Sequence, residues 1–542
     1  MTASRTFPQM EERAACPARQ SAETVSFRSI LFPNQTDMSE IDSRQEPEFF
    51  VDLNLDQVVG SATERRDEYR LKPFFYSPAT DIGTVRYRQD VFRDIERGGV
   101  SAGIRSFAST MQKVRGWLAQ SKKCFHRREQ QRWFVDAATA YCSAVNQLAQ
   151  ALGESGIRSS GLLGLRQYLE NYIASPEFQE LETATLKLLE DLDSVVCSLH
   201  IAGKRITASK YQDQPDYGAD VLQTFEKFRQ AAAKEYRFKI RYDAEMNHVE
   251  AAIVDMVARL FPEIFSSLDD YVNQHGKFLD ATVARFDREV QFYVAWIEYI
   301  APLIRAGLPF CFPLVSRESK EISGREIYDI ALAERMIRSR GSIVTNEFSI
   351  TNPERIIVVS GPNQGGKTTF ARTFGQLHYL ASIGCPIAAK EARLYFFDHL
   401  FTHFEREEDV RTLSGKLEDE LVRIHRILGN ATSSSILIIN ESFLSTTLND
   451  ALYLSKEVMR RIIDLDMLCV SVTFLDELAS MSRSTVSMVS TVDPNDPARR
   501  TFKVVRKPAD GLAYALAIAA KYGLTFDAIR EQIAARAKTE AV

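Results

Sequence analysis

The apolar positions of this chain change period several times, and each change marks a different kind of element. Residues 1–28 are polar, mixed in charge and aperiodic, which predicts a disordered arm. From about 29 to 100 short apolar segments alternate with turns such as Lys72-Pro73 and Ser77-Pro78. Between 101 and 193 the spacing becomes helical, as in Val135, Ala138, Tyr141, Val145, Leu148 and Leu152. The stretch SVVCSLHIAGKRITASKYQ (194–212) then alternates around Ala202, Gly203 and Lys204, the pattern of a β-hairpin. A long apolar stripe follows, from Val249 through Ile253, Leu260, Leu268 and Val283 to Val290. It predicts roughly 60 residues of helix, bent near Pro262 and better suited to a lever or coiled-coil arm than to a compact core.

A further change falls near 310–325 (FCFPLVSRESKEISGRE). Beyond it short β-rich runs, IIVVS, ILIIN and LCVSVT, alternate with helical segments, the pattern of a largely parallel α/β sheet. The fold expected is therefore α+β and multidomain, with long helices first and an α/β domain after them.

The α/β part carries the clearest chemistry. The continuous apolar strand ending at Ser360 leads into Gly361, Pro362, Asn363, Gln364, Gly365, Gly366, Lys367, Thr368 and Thr369, and a helical segment begins there. This is G-x-x-x-x-G-K-T between strand and helix, the context of a phosphate-binding loop. Its glycines let backbone N–H groups curl around phosphates at the positive end of the helix. Lys367 would reach the β and γ phosphates of ATP, and Thr368 would offer its hydroxyl to Mg²⁺. The second half of such a site is ILIINE, where a buried strand ends at Asn440 and Glu441. An acidic residue normally stands at the first of these positions to hold magnesium through water. Asn440 can still accept a hydrogen bond there but brings no charge. Glu441 occupies the position of the carboxylate that orients or activates water.

GPNQGGKTTFARTFGQLHYLASIGCPIAA resembles the loop and following helix of the MutS family, GPN-x-GGK-[ST]-T running on to IG-x-x-V-P-A. NESFLSTTLNDA aligns without gaps to the family's DE-x-GRGTS-x-x-DG: Glu441, Thr446 and Asp450 match, while Asn440, Phe443, Leu444 and Ser445 depart. CVSVTFLDELASMS is similar to the strand that ends in ATH, with Phe474 in place of the histidine, and the tail from Phe502 follows the family's closing pattern. The close resemblance covers about 340 to 530. Upstream, DIGTVRYRQDVFRDI (81–95) is similar to the segment opening the family's core helical domain, and the stripe from 247 to 300 to its lever helix.

The resemblance implies a helical core and lever over 29–320, with a reduced clamp around 194–245, and an ABC-type P-loop ATPase domain over 321–542. Only about 50 residues precede the core, which leaves no room for the mismatch-recognition and connector domains of the members that recognise mismatches, so the likeness is to short MutS relatives and mismatch reading is not implied. It also implies a homodimer whose ATPase domains share nucleotide, each lending a serine-bearing loop to the other. The corresponding segment is RTLSGKLEDEL (411–421), with Ser414 as the candidate and Gly415 the alternative in another register. Loss of Asp at 440 and of His at 474 points to slow hydrolysis.

Composition changes this picture little: 45% apolar, 26% charged and a net charge of −5 are those of a soluble globular protein and neither support nor exclude DNA as a partner. Seven scattered cysteines without a C-x-x-C pair argue against structural zinc and a secreted disulfide framework. No apolar stretch suits a membrane span and the N-terminus lacks a signal-peptide core, so a cytoplasmic protein is expected. The best basic strip holds Lys227, Arg229, Lys234, Arg237, Lys239 and Arg241 among Phe228, Tyr236 and Phe238. It reads either as a phosphate-contacting surface or as a solvated helix face. Lys122, Lys123, Arg127 and Arg128 read as a solvated cluster, and His399 and His403, four apart on a strand, are too far apart to share a metal ion. The function expected is an ATP-dependent DNA clamp of repair or recombination, working with other repair proteins. The alternative is a nucleotide-gated protein-interaction dimer with slow or absent hydrolysis and no direct DNA role.

Overall fold

The computed structural model describes residues 27–34, 37–97, 99–212, 224, 246–405, 415–496, 499–509 and 524–530. The arm up to residue 26, the basic strip from Lys227 to Arg241 and Ser414 lie outside these. Phe27 and Arg28, expected in the arm, are already engaged: the Phe27 ring lies 6.3 Å from that of Tyr168, and the Arg28 carbonyl accepts from Arg285.

The first elements are short: α1 (Met38–Asp42), α2 (Phe49–Asp52), α3 (Leu55–Ala62) and α4 (Lys72–Phe75). Longer helices follow as α5 (Ile82–Glu96), α6 (Gly99–Lys123), α7 (Arg127–Glu154), α8 (Ser160–Ile173) and α9 (Pro176–Asp193). Their starts are written in the sequence: Asp81, Ser159 and Ser175 each accept a hydrogen bond from a backbone N–H of the first turn. Helices α6 and α7 form a long hairpin, close enough that a Cβ on Gly103 would fall 2.4 Å from that of Ala151. Strands β1 (Cys197–Ala202) and β2 (Arg205–Lys210) pair antiparallel about a turn at Gly203, whose φ of +62° suits glycine, as the alternation predicts.

The long stripe is not one bent helix. It forms three: α10 (His248–Leu260), α11 (Pro262–Gln274) and α12 (Ala281–Arg305). The first break is at Phe261 and Pro262, where the expected bend falls. The second lies at 275–280. There Phe278 turns inward from the connection to sit 5.3 Å from both Phe134 and Tyr141, and Asp280 caps the new helix by accepting from the Thr282 and Val283 N–H groups. Helix α12 is a core element rather than a free lever, since Phe286, Val290, Phe292, Tyr293 and Trp296 are buried. Arg128 also departs from the solvated reading. It is largely buried, bonded to Asp269 at 2.7 Å and stacked over Phe265, which ties α7 to α11.

The remaining elements are β3 (Leu314–Ser316), β4 (Ile322–Ile327), α13 (Ile330–Arg338), β5 (Asn346–Ile350), β6 (Ile356–Ser360), α14 (Lys367–Ser382), β7 (Glu391–Tyr395) and β8 (Leu400–Phe404), then α15 (Lys416–Asn430), β9 (Ile436–Asn440), α16 (Leu448–Asp464), β10 (Leu468–Val472), β11 (Thr485–Val492) and β12 (Arg500–Arg506). Strands β3, β7, β4 and β5 make a small mixed sheet, and the main sheet runs β12-β11-β6-β10-β9-β8. Its pairings are parallel except for β12 on β11. Strand β6 lies fully buried between β11 and β10, as a continuous Ile-Ile-Val-Val run requires. The architecture is α+β, as expected. Among the described residues no helix is long and apolar enough to cross a membrane.

Candidate functional site

Where β6 ends, the chain turns through a glycine-rich loop into α14. Gly361 (φ +109°) and Gly366 (φ +93°) occupy left-handed backbone that favours glycine. Gly365 is needed for space, since a Cβ there would meet Ser490 Oγ at 2.4 Å. The glycines thus let the loop lie flat against β11. Gly366 caps α14 without a side-chain hydrogen bond, so the first-turn N–H groups face the loop with the positive end of the helix behind them.

Lys367 folds back over this loop. Its Nζ donates to the Gly361 carbonyl at 2.9 Å, with Pro362 O at 3.3 Å and Asn363 Oδ1 at 3.4 Å. The Phe474 ring lies 4.6 Å away on one side and the Glu441 carboxylate 3.9 Å away on another. Burial lowers the Lys367 pKa, and nearby Glu441 opposes that shift. Thr368 Oγ1 donates to Asn440 Oδ1 at 2.9 Å, which joins the first helical turn to the end of β9. Glu441 follows in a left-handed conformation (φ +56°) with its N–H bonded to Val472 O at 3.0 Å, so the chain leaves β9 over the end of β10. Burial raises the Glu441 carboxyl pKa, with Lys367 acting against it. A lysine, a hydroxyl, an amide and a carboxylate therefore converge at the carboxyl ends of neighbouring parallel strands, where open α/β sheets place ligands.

The sequence profile of the family described as MutS domain V matches residues 357–538, from inside β6 onward. Matches to whole proteins reach further upstream. The DNA mismatch repair protein MutS of Shouchella clausii is 24% identical over 362 residues, 66% of this chain and 39% of that protein. MutS of Thermotoga maritima is 23% identical over 322 residues, 59% of this chain and 37% of that protein. Endonuclease MutS2 of Thermus thermophilus is 27% identical over 189 residues, 34% and 25% of the two chains. The chain thus carries a MutS domain V at 357–538 and is similar to MutS proteins over much of its length. It spans well under half the length of these relatives.

In this MutS domain V the loop residues, Lys367, Thr368, Asn440 and Glu441 are brought together. Phe474, the departure from the family's histidine, faces the lysine itself. Three neighbours escaped the sequence reading. Arg500 donates to Asn363 O at 3.1 Å from β12. Phe502, half exposed with φ +58°, backs onto Gly366. Ser490 lies under Gly361 and Gly365, with its buried Oγ lacking a hydrogen-bond partner among the described residues. All three come from β11 and β12, more than 120 residues past the loop, and no local motif announces them. Glu420 of α15 is a fourth: it accepts from the Phe443 N–H at 2.8 Å and so shapes the turn after Glu441. His403 is buried on β8 opposite Ile439 and accepts from Arg423 Nε at 3.0 Å.

Proposed function

We propose that this chain is an ATP-binding MutS-type protein of DNA repair or recombination, acting as a homodimeric clamp whose hold on DNA responds to nucleotide. The observation that carries the proposal is the convergence of Lys367, Thr368, Asn440 and Glu441 around a loop that only glycine can form, inside a MutS domain V. A phosphate entering the loop would replace the carbonyls as partner of the Lys367 ammonium. The donor set fits ATP and Mg²⁺: Thr368 and Asn440 would hold the ion, which when bound would neutralise phosphate charge. Asn440 supplies an amide where a carboxylate would add charge, so the ion is held less tightly. Glu441, whose carboxyl pKa burial raises, would orient water and accept a proton. Contact with DNA phosphates is assigned to Lys227, Arg229, Lys234, Arg237, Lys239 and Arg241. Direct mismatch reading is not part of the proposal.

The test is retention of the purified chain on plain, mismatched, branched and single-stranded DNA with no nucleotide, ADP or ATP. Affinity should change with nucleotide in the wild type and not in Lys367→Ala, whose fold is checked by melting. Failure to hold any DNA at low salt in every nucleotide state would end the DNA assignment. Asn440→Asp should tighten Mg²⁺-dependent ATP binding several-fold and speed hydrolysis; unchanged binding would remove the role given to residue 440.

A second reading is favoured by the same departures. With Asn440 at the metal and Phe474 against the lysine, nucleotide would act as a dimer-gating ligand for a protein partner, with little turnover. Normal DNA-free dimerisation by Glu441→Gln, with ATP but not ADP, would support it.

A further inference from the structure

The hairpin of α6 and α7 closes through three residues, Cys124, Phe125 and His126, and Phe125 is 92% exposed. That is the most exposed large apolar side chain among the described residues. Connections between helices are ordinarily polar, and nothing in the hairpin's own packing needs an aromatic there. The tip is also braced. Ser121 Oγ donates to Gln130 O and Gln130 Nε2 to Cys124 O, each at 2.7 Å, and Cys124 is buried between the two helix ends. The His126 ring stands edge-on to that of Phe125 at 5.6 Å. From outside the hairpin, Arg128 is bonded to Asp269, and Glu129 accepts from the Met246 N–H at 3.2 Å. The aromatic ring is therefore presented by a fixed scaffold.

Charge around it is lopsided. Asp269, the carboxylate facing the tip from α11, is already shared by Arg127, Arg128 and Gln131. Lys122 and Lys123, at the end of α6, are exposed and make no ion pair among the described residues. A rigid, exposed aromatic beside unpaired lysines matches one kind of partner, a nucleic-acid strand whose bases are not already stacked. Every base offers a π face, so such stacking tolerates any sequence, and lysines add phosphate contacts. In a fully paired duplex the same ring would first have to separate two stacked base pairs.

We propose that this tip contacts unpaired bases in DNA, with Phe125 stacking on a base and Lys122 and Lys123 holding the flanking phosphates. The proposal rests on the DNA reading above but not on its basic strip or its nucleotide site. It is tested on the full chain by equilibrium anisotropy with three labelled DNAs: a paired duplex, the same duplex with a short single-stranded gap, and a single strand. Phe125→Ala should weaken the gapped and single-stranded DNAs about tenfold and leave the paired duplex within about twofold, and Phe125→Trp should restore binding. Lys122→Glu with Lys123→Glu should weaken all three DNAs and reduce the salt slope by roughly two. Equal weakening of all three DNAs by Phe125→Ala, or none, overturns the proposal. So does loss of the dimer in sedimentation with DNA binding unchanged, which would make the tip a contact between copies. Absence of DNA binding by the wild type is a separate result that removes the DNA reading and this proposal together. Phe125 is exposed, so melting of the variants should match the wild type.

Discussion

On one face of the six-stranded sheet, Ile357, Val359, Ile438, Val470 and Val472 pack under α14 and run without a break into the core holding Phe75, Phe292 and Trp296 of the helical region. On the other, Ile356, Val358, Leu437, Ile439 and Cys469 pack under α15 and α16 in a smaller core of their own. The strands are equally apolar on both sides, so the difference comes from what covers them. Helix α14 is buried along nearly its whole length, and a Cβ on its Gly375 would meet Leu53 at 2.7 Å and Ile438 at 2.6 Å. Helix α15 buries only Ile424 and Ile427. The face whose helix begins at the glycine loop is thus fused to the helical region, while the face behind Glu441 is covered by helices that pack in a smaller core of their own. A change at the loop is therefore expected to reach the helical half, and a change at α15 or α16 to stay local.

The strongest way to break this comparison is Trp296→Ala. Trp296 lies on α12, fully buried, with Nε1 donating to Pro386 O at 3.1 Å. Its removal should cost about 3–5 kcal/mol and lower the melting of the helical and sheet signals together. Two separated transitions in calorimetry would show that the shared core does not couple them. Ile462→Ala, in the smaller core, should cost about 2–5 kcal/mol and act differently. Hydrogen exchange should speed in α15, α16 and the strands beneath them while α14 stays protected. Uniform loss of protection would erase the distinction between the faces.

A third prediction concerns where the chain enters the large core. Glu289 of α12 is buried and accepts from Ser29 Oγ at 2.8 Å and the Ile30 N–H at 3.0 Å. Burial outweighs those donors and pushes its carboxyl up to about 7, against 4.5 in a solvated glutamate. The folded chain then holds a proton that the unfolded chain has lost, so stability should fall as pH rises from about 4.5 to about 7 and level off above. The loss is at most about 3 kcal/mol. Glu289→Gln keeps an acceptor for the same donors and should flatten that slope in urea melts at pH 5 and pH 8. An unchanged slope would assign the pH dependence elsewhere.

The same contrast explains what could be read in advance. The loop from Gly361 to Thr369, its strand and its helix were legible because their signals are contiguous: an apolar run, glycines at fixed offsets, then helical spacing. Asn440 and Glu441 were legible because a buried strand ends on them. Arg500, Phe502 and Ser490 were not, because β11 reaches β6 by a crossover that leaves no local trace. The stripe from Val249 to Val290 misled because apolar spacing persists through a break: Leu279 lies in the connection at 275–280 yet packs against the core, and a periodicity argument counts it as helix. Arg128 misled because its partner Asp269 lies 141 residues away.

The finest test falls on the stitch between the loop's helix and the helical region. Gln376, one per cent exposed, donates from Nε2 to Leu53 O at 2.8 Å and to Asp329 Oδ1 at 3.0 Å, and its Oε1 accepts from the Ile330 N–H at 3.1 Å. One amide thus joins α14 to the start of α3 and the start of α13. One turn nearer the loop, Arg372 Nε donates to Asp52 O at 2.9 Å, so the two bonds hold the same corner. Gln376→Leu keeps the volume but leaves buried polar groups unpaired, which should cost about 1–3 kcal/mol. Melting should drop accordingly, and ATP affinity should stay within about twofold because no group at the loop is altered. If α14 is the route by which the loop acts on the helical half, the change in DNA affinity between ADP and ATP should shrink in this variant. A variant that melts lower yet keeps the full nucleotide response would show that apolar packing on this face transmits the change, and that the amide serves only to hold three elements together.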